Sequence, residues 1–164
     1  MSGQDGFAVL PASWRVDERV PFRVDDVPPL RRRIVADAIE HGLSVDAVGA
    51  LALVVGELVG NAVRHATPLA DGHIAVRWGG SPELVRFEVT DGGGGRSHPV
   101  VAAADPSGTT GRGLVLVRDL ASDWGTVVQP GRTTVWATIE NTAPPHRLGH
   151  IREPHASPAT PYAP

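Results

Sequence analysis

Residues 57–66 read ELVGNAVRHA, and within them Glu57, Asn61 and His65 recur every fourth position. Residues four apart stack on one side of an α-helix. A carboxylate, a carboxamide and an imidazole therefore line one side of a helix whose apolar side is formed by Leu51, Val55, Leu58, Val59, Ala62 and Val63. Glu57 can accept a proton from a water or a hydroxyl, and Asn61 offers a neutral oxygen to a hard cation. A polar side that merely meets solvent has the same spacing, so this helix alone leaves both readings open.

The helix is predicted to begin near Ser44 or Asp46 and to end at about Ala66, before Pro68. On its N-terminal side, PPLRRRIVADAIEHGL (28–43) predicts another helix, opened at the prolines and closed by Gly42. Leu30, Ile34, Val35, Ala38 and Ile39 form its packing side, leaving Arg31, Arg32 and Arg33 to solvent or a partner. On the C-terminal side, HIAVRW and ELVRFEVTD alternate at period two around GGSP (79–82), which is read as a hairpin turn. DWGTVVQ and RTTVWATI continue the sheet across a Pro-Gly turn, and residues 113–122 predict a short helix with Leu114, Val117, Leu120 and Ala121 inward. Before residue 28, FAVL and FRVDD are the candidates for an edge strand. The fold class is an α/β two-layer sandwich, a mixed sheet covered on one face by helices. Residues 22–140 form the domain, 1–21 an N-terminal segment, and 141–164 a Pro-, His- and Ala-rich tail expected to be disordered.

The composition narrows the chemistry. The chain has 164 residues, 41% apolar and 20% charged, which suits one domain. A net charge of −3 argues against general nucleic-acid binding. All fifteen basic residues are Arg; without lysine, neither a Walker loop nor a conventional kinase strand lysine is possible. There is no cysteine, hence no disulfide scaffold and no thiolate chemistry. The N-terminus lacks the pattern of a signal peptide and no uninterrupted apolar run is long enough to span a membrane, so the expected setting is cytoplasmic, without a membrane.

Two further clusters share the chain with Glu57 and Asn61. VTDGGGG (89–95) puts Asp91 at a strand end before four glycines. Such a carboxylate can accept from an exocyclic amine while Gly93 and Gly95 let a flat ring approach the backbone; read alone, GGGG is also a flexible loop. GTTGRGLVLVRDLA (108–121) puts Gly111 and Gly113 at a helix start, where backbone amides and the helix dipole can hold phosphates, with Thr109, Thr110 and Arg112 as further donors. Ordinary glycine-rich entry into a helix reads the same way.

The order of the three clusters resembles the GHKL nucleotide-binding family of gyrase, Hsp90, histidine kinases and MutL, which has the Bergerat fold. ELVGNAVRHA is similar to its N-box, DGGGG to its first glycine box and GRGLVLV to its second. LALVVGELVGNAVRHA, the short intervening loop and GRTTVWATI resemble most the small bacterial anti-sigma-factor serine/threonine kinases, the RsbW-like proteins. The resemblance implies ATP and Mg²⁺, with Glu57 as general base and Asn61 as metal ligand. It implies that Asp91 recognises the adenine amino group, that Gly93 and Gly95 shape that wall, and that Gly111 and Gly113 close over the phosphates. Arg112 is carried over near the phosphates and Thr134 near adenine; His65 matches a frequent N-box histidine of structural role. A lid is expected over about residues 96–110.

The implied activity is phosphorylation of an anti-sigma-factor antagonist together with binding of a sigma factor. RSHPVVAAADPSGTT departs from the family's usual continuation after the first glycine box. A different class is a nucleotide-gated or nucleotide-independent regulatory binding protein without significant kinase activity. Exposed apolar helix faces could also support a homodimer.

Overall fold

A computed structural model describes residues 13–94 and 112–142. Five strands, β1 (Trp14–Pro21), β2 (His73–Ser81), β3 (Leu84–Asp91), β4 (Asp123–Gln129) and β5 (Arg132–Glu140), form one sheet in the order β1-β2-β3-β5-β4. Helices α1 (Val27–Glu40), α2 (Val45–His65) and α3 (Arg112–Leu120) complete the expected two-layer sandwich. The strand directions, expected to be mixed, are antiparallel at all four described pairings.

Local chemistry fixes the helix boundaries where the sequence put them. Ser44 caps α2, its hydroxyl accepting from the Ala47 amide at 3.2 Å, and the chain turns extended at Ala66, before Thr67-Pro68. Helix α1 starts on Pro28-Pro29 and ends at Gly42, whose φ of 78° lets the Leu43 amide reach the Ala38 carbonyl at 3.0 Å. Leu30, Ile34 and Ala38 make the buried stripe of α1; Ile39, expected to pack, is 60% exposed because it lies a further 100° or so around the helix.

Strand parity sorts the two sheet faces. Ile74, Val76, Trp78, Val85, Phe87, Val89, Val135, Ala137 and Ile139 face the helices and meet Leu51, Val54, Val55, Leu58 and Val59 of α2 in one core. The other face carries charge. Arg15 and Arg77 both bond Asp17, Arg77 approaches Glu88 at 3.7 Å, Arg86 donates to Glu88 at 2.8 Å, and the Arg86 guanidinium lies 3.9 Å from the Trp136 ring centroid. Burial opposes ionisation of Asp17, but the hydrogen bonds and charges of Arg77 and Arg15 outweigh it and hold the carboxyl below its ordinary range.

Two sequence expectations are corrected. The edge strand is Trp14–Pro21, between FAVL and FRVDD; Val24–Asp26 form a 3₁₀ turn, and FAVL lies outside the described residues. The sheet thus includes residues assigned to the N-terminal segment, upstream of 22. Gly79 and Gly80 are buried strand residues, and the hairpin turns at Pro82-Glu83 because Ser81 pairs with Leu84. A Cβ at Gly79 would stand 2.4 Å from the Trp14 carbonyl oxygen, and one at Gly80 2.1 Å from that of Leu84, so close approach of neighbouring strands selects these glycines. Helix α2 is long and apolar enough, by length and composition alone, to cross a membrane; here it packs against the middle of the sheet.

Candidate functional site

The polar side of α2 meets the start of α3. A Cβ built on Gly113 would lie 2.2 Å from Glu57 Oε2 and 3.6 Å from Asn61 Nδ2. Glycine at this position therefore lets the first turn of α3 sit directly on the carboxylate and the carboxamide, both half-buried. The positive end of the α3 dipole faces the same place, an arrangement that favours negative charge. His65, four residues further, is exposed at the end of α2.

A second group forms where β3 ends. Asp91 is 5% exposed, and its Oδ1 accepts from the Gly93 amide at 2.7 Å. Gly93 and Gly94 have φ of 70° and 78°, a left-handed path that glycine takes without steric cost. Burial pushes the Asp91 carboxyl above its ordinary range, and the Gly93 hydrogen bond works in the opposite direction. A group whose folded-state pKa is raised contributes stability below its unfolded pKa and loses it as pH rises through the folded value. Above the ordinary carboxylate range Asp91 thus weakens the fold that holds it. We predict that Asp91→Asn unfolds at a higher temperature than wild type at pH 7, with the difference closing as pH falls below the ordinary carboxylate range. Thermal unfolding by circular dichroism across pH checks this; an equal or lower unfolding temperature at pH 7 refutes it.

The register of β3 with β5 revises one assignment. Thr133 stands opposite Asp91, is 9% exposed and shares the helix-facing side with Val135, Ala137 and Ile139. Thr134 points to the other face, its hydroxyl 2.7 Å from that of Thr90. The threonine beside Asp91 is Thr133, and a Cβ on Gly93 would lie 3.4 Å from its hydroxyl. The signal in the sequence was parity: counting back in twos from Ile139 reaches Thr133, not Thr134. Gly95, Gly111 and the proposed lid at 96–110 lie outside the described residues, as does the Arg112 side chain.

Among the described residues no group of three His, Asp or Glu side chains could hold a metal by itself. An ion such as Mg²⁺ needs no such group, since it takes one or two protein ligands and completes its shell with phosphate and water. Asn61 and Glu57, brought together against Gly113, are the described residues that would hold such an ion.

The RsbU and RsbW domains of Rv1364c from Mycobacterium tuberculosis superpose with a TM-score of 0.59 at 19% identity, covering 80% of this chain and 34% of that one. The chain thus spans about a third of that structure's length. The histidine kinase domain of the Erythrobacter litoralis blue-light activated histidine kinase EL346 gives a TM-score of 0.42 at 22% identity, over 70% and 61% of the two chains. Comparison with curated protein sequences gives no match. Residues 20–139 match the family described as histidine kinase-like ATPase domain, a span that contains α2, the Asp91 turn and α3. With fold and sequence family in agreement over most of its length, this chain belongs to the histidine kinase-like ATPase domain family, the nucleotide-binding GHKL group.

Proposed function

We propose that the protein is an ATP- and Mg²⁺-dependent serine/threonine kinase of the anti-sigma-factor type, which phosphorylates a protein antagonist and regulates a sigma factor by binding it. The observation that carries the reading is the seating of Gly113 on Glu57 and Asn61, a base and a metal ligand at the start of a helix. The fold shared with a structure containing an RsbW domain supports the choice of partners.

In this reading Asp91 accepts from the adenine amino group, with Thr133 beside it, and Asn61 would hold Mg²⁺. When bound, the ion would supply neutralisation of phosphate charge. Glu57 takes the proton of a substrate serine or threonine hydroxyl. The hydroxyl oxygen bonds to the γ-phosphorus as the bond to the β,γ-bridging oxygen breaks, leaving a phosphoprotein and ADP. With water as nucleophile, the same geometry gives hydrolysis. Asp91→Asn puts an amide where an acceptor oxygen is needed, so the variant that gains stability also loses preference for ATP over GTP.

The first test is calorimetric titration with ATP and GTP, with and without Mg²⁺, followed by labelling of candidate antagonists with γ-labelled ATP. Selective, Mg²⁺-dependent ATP binding with transfer to a hydroxyl supports the proposal. Binding without transfer or hydrolysis replaces it with a nucleotide-gated regulator. A folded protein that binds neither nucleotide overturns the site.

A further inference from the structure

Two residues after α2 ends, the chain runs alongside the turn that follows Asp91. The Thr67 amide donates to the Gly93 carbonyl at 3.1 Å, and the Thr67 hydroxyl donates to the same oxygen at 2.6 Å. In return the Gly92 amide donates to the Thr67 carbonyl at 2.8 Å. The contact is tight on both sides: a Cβ at Gly92 would stand 2.1 Å from the Pro68 carbonyl oxygen, and one at Gly94 would lie 3.5 Å from both Cγ2 and Oγ1 of Thr67.

Thr67 is exposed, so its hydroxyl adds nothing to the core. What it does is restrain a segment with little restraint of its own. Gly93 and Gly94 both take left-handed backbone, and glycine has the largest backbone freedom to lose on ordering. The Gly93 carbonyl is held twice by Thr67, while the Gly93 amide holds Oδ1 of Asp91. The restraint therefore passes from the end of α2, through Thr67 and Gly93, to the Asp91 carboxylate. Glu57 and Asn61 are on that same helix, so Thr67 also ties the Asp91 end of the site to the end where α3 meets α2.

We propose that Thr67 is a positioning residue for base recognition: it makes no contact with nucleotide, and its hydroxyl fixes the Gly93 peptide so that Asp91 presents one carboxylate oxygen to an exocyclic amine. The inference rests on the nucleotide-site reading above and adds a determinant of purine selectivity.

The test compares full-length wild type, Thr67→Val and Thr67→Ser. Valine keeps the shape and the backbone hydrogen bonds and removes the hydroxyl; serine restores it. Four readouts are needed: dissociation constants for Mg·ATP and Mg·GTP, kcat and KM for ATP hydrolysis, unfolding temperature, and amide hydrogen exchange at Gly92, Gly93 and Gly94 without nucleotide. Thr67→Val is expected to keep its unfolding temperature and kcat, to weaken ATP binding roughly three- to ten-fold, the range for one neutral hydrogen bond, and to weaken GTP binding less. Exchange at Gly93 and Gly94 should quicken, and Thr67→Ser should return every value towards wild type. An unchanged ATP-to-GTP ratio in Thr67→Val, or a serine variant as impaired as valine, overturns the proposal. If wild type binds neither nucleotide, the nucleotide reading itself fails; exchange at Gly93 that valine leaves unchanged would then show that the restraint is also absent.

Discussion

Replacing Gly113 by alanine is expected to leave the protein folded and to lower phosphotransfer by on the order of 100-fold or more, the scale of an ångström-sized misplacement of reacting groups. The new methyl group would occupy a point 2.2 Å from Glu57 Oε2 and 3.1 Å from Glu57 Cδ. The nearest atom is the tip of a flexible side chain, so relief comes by swinging the carboxylate away rather than by moving backbone. Alanine also favours helix over glycine by up to about 1 kcal/mol, so the unfolding temperature should hold or rise. Paired measurement of thermal unfolding and single-turnover phosphotransfer separates the two effects. A folded Gly113→Ala protein with wild-type turnover would show that the position of Glu57 against α3 is immaterial to the reaction.

Glu57 and Asn61 should divide the work of the site. Glu57→Ala is expected to retain Mg·ATP binding within a few-fold and to lose phosphotransfer by about 10² to 10⁴, the usual contribution of a positioned general base. Asn61→Ala should instead lose binding: its affinity for ATP in Mg²⁺ should drop by roughly 10- to 100-fold, the scale seen when support for a bound metal is removed. Titration with and without Mg²⁺ distinguishes them, since Asn61→Ala should respond little to the ion. Identical losses of binding in both variants, or unfolding of both, would end the assignment of separate roles.

Much of this site was legible because its cues are local. Ser44 and Pro68 bracket α2 in the sequence as they do in space, and the interval from Glu57 to Asn61 places both on one helix side whatever the rest of the chain does. Cues that depend on a neighbouring strand were not legible. Gly79 and Gly80 carry the same letters whether they make a turn or admit a close strand, and only the Trp14 and Leu84 carbonyls decide between the two. Thr133 and Thr134 are chemically identical neighbours, yet a single step along a strand exchanges one face of the sheet for the other. Strand β1 was hidden because Glu18 stands at an inward position and breaks the alternation of Trp14, Val16 and Val20. Thr67 carries no sequence signal of its own, since its role is defined by a turn 26 positions away.

The site's two helical walls differ in how firmly they are held. Leu51, Val54, Val55, Leu58 and Val59 anchor α2 in the core with almost no exposed surface, so shifting that wall would disturb close packing along the middle of the sheet. Helix α3 has nine residues, and Leu114 and Val117 are its buried hydrophobic anchors. The backbone that carries Glu57 and Asn61 is thus set by the core, whereas α3 is placed by Leu114, Val117 and the contact of Gly113 with those two side chains.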